Sequence, residues 1–331
     1  MWGSSIAGAG PCRRPGIGRT TRVLAPLLLA LAFSGCLTTG RVEKYSAGLA
    51  RDNSGLMVNA APQDLGPVDS NRAVLFVHGF IGGPTNFGDL PAAVAEAGWF
   101  VRVMLLPGHG TSPMDLEKVT AEDYIAAVQE ELARLQAKYE TVVLAGHSLG
   151  GTTSAIVASR TPVDGLILYA PYFHAKYKWF LVLPPEFWIS TAGHGLRWVP
   201  VKFKPMPVAD PAARDGIFHY EWVPVQAAHV VLGMGPIARD PEALARIECP
   251  TLIVQGCQES VTSPAAVRVA FRHIGAEEKE LLWLERSDHI PFVDYDQAEN
   301  KAATLAFLEG LGADCQSDPS DKSDASERPP L

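Results

Sequence analysis

The stretch Thr141-Val-Val-Leu-Ala-Gly-His-Ser-Leu-Gly-Gly151 decides the reading of this 331-residue chain. Thr141 to Ala145 is short, apolar and rich in β-branched residues, the pattern of a buried strand. Leu149 to Arg160 is rich in small residues and reads as a helix. Between them lies Gly146-His147-Ser148-Leu149-Gly150, a G-x-S-x-G turn in its required strand-to-helix setting. Such a turn pushes the serine Oγ off the sheet edge, and small residues on either side prevent clashes. Ser148 is therefore the candidate nucleophile.

Working outward, strands and helices alternate. Ala73–His78, Trp99–Leu106, Gly165–Ala170, Pro250–Gln255 and Leu281–Leu284 read as strands. Asn86–Gly98, Thr120–Tyr139, Ser263–Ile274 and Asp294–Leu311 read as helices. Thr120, with Asp123 three residues on, has the spacing of an N-terminal cap. This rhythm predicts an α/β fold, a mostly parallel central sheet with helices on both faces. It breaks over 171–249, which is rich in aromatics and proline, too long for a loop and too apolar for a linker. That stretch is expected to be a cap inserted over the carboxyl ends of the strands. The predicted body spans 71–310.

A serine needs a base, and the base needs an orienting acid. With a G-x-S-x-G elbow the chain order is serine, acid, histidine. His289 follows the Leu281–Leu284 strand, whereas His273 falls inside a predicted helix. After Gly165–Ala170 the chain reads Pro-Tyr-Phe, with no acid. After Pro250–Gln255 the first carboxylate is Glu259. Asp288 and Asp294 are the alternatives; Asp164 and Glu248 precede their strands and sit at the wrong end. Two N–H donors are needed for the oxyanion. Leu149, directly after the nucleophile, and Phe80, in His78-Gly-Phe-Ile-Gly-Gly83, are the candidates. His78 is expected to hold backbone, His109 in Pro107-Gly-His-Gly110 to shape the site floor, and His147 to pack beside the elbow. His174, His194, His219 and His229 lack ligand spacing. No CxxC or HExxH occurs, so no metal site is signalled.

The ends differ from the body. Residues 1–35 hold Arg13, Arg14, Arg19 and Arg22, no acid, and then the apolar run Val23–Phe33. This is the layout of an export signal, too short to span and stay. Small residues then precede Cys36 in a pattern that resembles the lipobox of bacterial lipoproteins. By that resemblance Cys36 is lipidated and opens the mature chain. Loss of the four arginines takes the net charge from −8 to −12. Anionic lipid would repel such a body, so acyl chains rather than charge would tether it. The expected location is the bacterial cell envelope, held by the lipid anchor; in a Gram-negative cell that means the outer membrane or the periplasmic face. Residues 36–70 read as a tether with an entry strand, and 311–331 as a disordered acidic tail. The sequence pI of about 5.6 argues against a nucleic-acid partner.

Together, Val74-Leu-Phe-Val-His-Gly-Phe-Ile-Gly82, Leu106-Pro-Gly-His-Gly-Thr111, Ala145-Gly-His-Ser-Leu-Gly-Gly151, Pro250-Thr-Leu-Ile-Val-Gln-Gly256 and Ser287-Asp-His289 resemble the α/β-hydrolase superfamily. Within it the chain is similar to bacterial carboxylesterases and monoacylglycerol lipases. The resemblance implies hydrolysis of short- to medium-chain acyl esters through an acyl-enzyme, without a cofactor. It implies Ser148 as nucleophile, His289 as base, Glu259 as acid, and Phe80 and Leu149 as oxyanion donors. Glu259 stands where the group normally carries Asp. An acyltransferase or serine peptidase on the same triad, or a non-catalytic binding lipoprotein of this fold, are the alternatives.

Overall fold

The computed structural model describes residues 38–176, 196–201 and 206–313. The expected export signal, Cys36, the tail from residue 314, and Tyr177, Trp179, Phe180, Phe187, Trp188, His194 and Phe203 of the expected cap lie outside the described residues.

Among the described residues nine strands run in chain order: β1 (Gln63–Leu65), β2 (Arg72–Val77), β3 (Phe100–Met104), β4 (Thr141–His147), β5 (Gly165–Tyr169), β6 (Trp198–Pro200), β7 (Trp222–Pro224), β8 (Thr251–Gly256) and β9 (Lys279–Leu284). Seven form one sheet in the order β1-β3-β2-β4-β5-β8-β9. Its strands pair in parallel except β1, which runs antiparallel to β3 at the edge. The expected α/β architecture is thus present, entry strand included.

Alternation along each strand shows why the sheet is covered twice. Ala73, Leu75 and Val77 of β2 join Val142 and Leu144 of β4 and Leu166 and Leu168 of β5 on one face. Val74, Phe76, Val143, Ala145, Ile167 and Tyr169 join on the other. A strand buried on both faces is a continuous apolar run, as the sequence shows. The first face is covered by helices Ala121–Gln136, Leu149–Ala158, Val225–Ala238 and Pro264–His273, the second by Leu90–Glu96 and Gln297–Ala313. Helix Ala121–Gln136 opens on the predicted cap. Thr120 Oγ1 accepts from the Asp123 N–H at 3.1 Å, and the Asp123 carboxylate accepts from the Thr120 N–H at 2.8 Å.

The cap region differs from expectation at its C-terminal side. Val231, Met234 and Ala238 recur at three- and four-residue spacing on one face of their helix and join the main core beside Leu144 and Leu166. Leu244 and Ile247 join the same cluster. The chain has therefore returned to the body by Val225. Among the described residues, the stretch before Val225 holds a separate antiparallel pair, β6–β7, with Trp198 opposite Pro224.

The predicted tether differs too. Residues 38–47 are helical. Val42 is fully buried in a small cluster with Trp198 and Trp222. Trp198 Nε1–H donates to Thr39 Oγ1 at 3.2 Å, and the Tyr45 hydroxyl accepts from the Glu221 N–H at 3.2 Å. The helix over 38–47 is thus fastened to the β6–β7 pair. Val42→Asp would press a carboxylate against two tryptophans. It should lower stability by about 3 kcal/mol, read as a lower melting temperature and earlier tryptic cleavage at Lys44.

Candidate active site

The site forms where β4, β8 and β9 end. Ser148 sits between β4 and helix Leu149–Ala158 with φ 53° and ψ −114°, a conformation costly for any L-residue. Its neighbours over-determine it. The Ser148 N–H donates to the Tyr169 carbonyl at 3.0 Å, and the Ser148 carbonyl accepts from Tyr172 at 3.2 Å and Thr152 at 2.9 Å. Close packing dictates the flanking glycines. A Cβ on Gly146 would stand 2.5 Å from Ser154 Oγ, and one on Gly150 would stand 2.6 Å from the His78 carbonyl oxygen.

The structure brings Ser148, His289 and Glu259 together in one hydrogen-bonded line. Ser148 Oγ lies 2.9 Å from His289 Nε2, and His289 Nδ1 lies 3.0 Å from Glu259 Oε2. All three are buried, Glu259 completely. The ring is aimed through its backbone: the His289 N–H donates to the Pro207 carbonyl at 3.1 Å, and its carbonyl accepts from His147 Nε2 at 2.9 Å. Burial alone would raise the Glu259 carboxyl. The facing His289, with hydrogen bonds from Thr262 and Val261, outweighs burial and holds it at about 2. Those N–H groups reach Glu259 Oε1 at 3.0 and 2.7 Å.

The alternative acids face elsewhere. The Asp288 carboxylate accepts from the Ser260 N–H at 2.7 Å and its hydroxyl at 2.8 Å. Burial moves it the opposite way from Glu259, upward. Asp294 accepts four backbone N–H groups, from Ala209, Asp210, Asp288 and Tyr295, and so ties the His289 loop to the cap return.

Leu149 opens its helix, so its N–H has no acceptor one turn back. Gly79 lies so close to the elbow that a Cβ on it would stand 3.1 Å from Ser148 Cβ. This sets the Gly79–Phe80 peptide beside the serine. Among the described residues nothing accepts from the Phe80 N–H.

Three further histidines are neutral. His78 donates from Nδ1 to the Gly79 carbonyl at 2.9 Å and accepts at Nε2 from the Leu106 N–H at 3.0 Å. His109 donates from Nδ1 to the Pro107 carbonyl at 2.9 Å and accepts at Nε2 from the Ile81 N–H at 3.1 Å. Burial presses His109 down to about 4 and His147 to about 3. Two partners of Glu259 went unread in the sequence. Gln255 Nε2 donates to its Oε2 at 2.8 Å, and Lys176 Nζ donates to its carbonyl. The signal for Gln255 was available, as a lone amide closing the apolar run Thr-Leu-Ile-Val. Among the described residues no cluster of His, Cys, Asp and Glu could hold a metal.

Residues 74–302 match the model of the alpha/beta hydrolase family. The chain is 30% identical over 249 residues to a thermostable monoacylglycerol lipase of Bacillus sp. (strain H-257), covering 73% of this chain and 91% of that protein. It is 22% identical to a carboxylesterase of Bacillus subtilis (strain 168), covering 73% of this chain and 94% of that protein. A solved structure from work on the metagenome-derived lipolytic enzymes LipS and LipT superposes with a TM-score of 0.69 at 26% identity, over 77% of this chain and 99% of that one. The elbow, the sheet order and these matches agree: the chain belongs to the alpha/beta hydrolase family, among its lipase- and esterase-like members.

Proposed function

We propose that this chain is a serine hydrolase of short- to medium-chain acyl esters or monoacylglycerols. The observation that carries the reading is the continuous line Ser148 Oγ–His289–Glu259. In it His289 Nε2 takes the proton as Ser148 Oγ attacks the ester carbonyl. The ionised Glu259 stabilises the imidazolium and fixes its tautomer. The Phe80 and Leu149 N–H groups receive the oxyanion. His289 then returns the proton to the leaving alcohol, and water, activated by the same ring, frees the acid. The names of the Bacillus relatives support an ester rather than a peptide substrate.

The test is a p-nitrophenyl ester series from acetate to palmitate, run beside a monoacylglycerol, with a fluorophosphonate probe. Turnover is expected to peak at short to medium acyl length, with one probe adduct at Ser148. A folded protein inert toward every ester would end the reading.

The proposal extends to an exported protein tethered by lipid on Cys36. Palmitate labelling should mark the wild type and spare Cys36→Ser; equal labelling of both would refute the tether.

A further inference from the structure

Gly79-Phe80-Ile81-Gly82 forms a turn, closed by the Gly82 N–H donating to the Gly79 carbonyl at 3.2 Å. Ile81, its third residue, has φ 56°. Glycine or asparagine is the ordinary residue there, and a β-branched side chain is a genuine outlier. Strain of this kind persists only where the surroundings hold it.

Both polar groups of the Ile81 backbone are held. Its N–H donates to His109 Nε2, and its carbonyl accepts from the Tyr220 N–H at 3.1 Å. His109 comes from the floor loop and Tyr220 from the cap return. The two side chains also meet, with near-parallel rings whose centroids are 6.3 Å apart. The Tyr220 hydroxyl then accepts from the Thr111 N–H at 3.0 Å and donates to the Gly108 carbonyl at 3.3 Å. Two residues before Tyr220, the Phe218 backbone pairs with the Asn86 side-chain amide at 2.9 and 3.1 Å. Burial holds His109 at about 4, so near neutral pH the ring is uncharged and Nε2 is free to accept.

From this geometry we infer that His109 is a positioning residue for the reaction. Through the Ile81 peptide it holds the turn in the strained form that aims the Phe80 N–H at the oxyanion. The inference rests on the esterase reading above, since it gives Phe80 its role. His109 touches no reacting atom and acts through the turn. The cap contributes through Tyr220, so cap placement and oxyanion geometry are linked at one residue.

His109→Phe keeps an aromatic ring in place but removes the acceptor. His109→Gln can return an acceptor oxygen near the Nε2 position. Loss of an oxyanion donor costs about 10²–10³ in kcat; His109→Phe misaims one and should lose about tenfold to a hundredfold, with KM within about threefold. His109→Gln should recover most of that loss. A trifluoromethyl ketone, which forms the charged tetrahedral adduct, should bind His109→Phe more weakly by a similar factor. Amide exchange at Ile81 should accelerate in His109→Phe and stay slow in His109→Gln. The inference is overturned if His109→Phe keeps wild-type kcat, or if His109→Gln loses as much as His109→Phe while its melting transition is intact. If His109→Phe does not accumulate, folded His109→Gln decides: near wild-type kcat and slow Ile81 exchange support the role, and deep kcat loss or fast exchange overturns it. An inert wild type would strike the esterase reading instead. Fast Ile81 exchange in that same wild type would overturn the His109 contact independently.

Discussion

Ser148→Ala should lower kcat on p-nitrophenyl butyrate by about 10⁶-fold, as loss of a nucleophile does where the triad acts as a unit. The size follows from the site. Ser148 Oγ is the group that His289 Nε2 contacts among the described residues, so its removal leaves the base facing no acyl acceptor. The fold should survive, because the Ser148 side chain makes no cap hydrogen bond to its helix and the backbone bonds remain. Steady-state kinetics with a melting curve on the same preparation separates the two effects. Adding His289→Ala should cost almost nothing further, since the pair works as one. Turnover within about tenfold of wild type would remove Ser148 from the nucleophile's role.

Glu259→Gln should cost about 10⁴-fold in kcat, the scale seen when a triad acid becomes an amide. The hydrogen bonds give the reason. The Val261 and Thr262 N–H groups donate to Oε1 and cannot turn, so the amide oxygen of the substituted side chain must face them. Its NH2 group then points at His289 Nδ1 and Gln255 Nε2. Gln255 can flip its own amide and offer Oε1, which has no partner in the wild type. His289 can accept at Nδ1 only by moving its proton to Nε2, where it can no longer deprotonate Ser148. Stability should follow pH in a defined sense. The folded Glu259 sits at about 2 against an ordinary 4.5. Its charged form therefore stabilises the fold above 4.5, and that contribution is lost as pH falls toward 2. The stability gap between wild type and Glu259→Gln, measured by urea unfolding, should narrow across that window.

The elbow was legible in the sequence because every signal agreed locally: an apolar strand, paired glycines, then small residues. His289 and Glu259 are legible by position relative to strand ends, and the hydrogen bonds of Asp288 and Asp294 explain why those carboxylates do not contact the His289 ring. The helix over 38–47 was not legible. Its apolar content is little more than Val42 and Tyr45, and its partners Trp198 and Trp222 lie far along the chain. Helix Val225–Ala238 was legible in its spacing, but Pro236 inside it and the aromatic run before it pointed toward the insertion. The strain at Ile81 has no sequence signature, so the second role of His109 stayed hidden behind its expected one.

Neighbouring strands β5 and β8 bear directly on how this scaffold can diversify. They pair side by side, from Leu166 with Thr251 to Tyr169 with Val254, although the whole cap excursion leaves and returns between them. Loop-closure entropy grows only logarithmically, so doubling the length of such an excursion costs about 0.6 kcal/mol. That is less than the roughly 0.8 kcal/mol carried by one buried methylene. Exchange of the excursion for another of different length is thus cheap in chain entropy, while Ser148, Glu259 and His289 stay fixed at strand ends outside it. The contacts a replacement must reproduce are specific: an acceptor for the His289 N–H in place of the Pro207 carbonyl, N–H donors for Asp294, a backbone partner for Ile81 and Asn86, and a face for Val42.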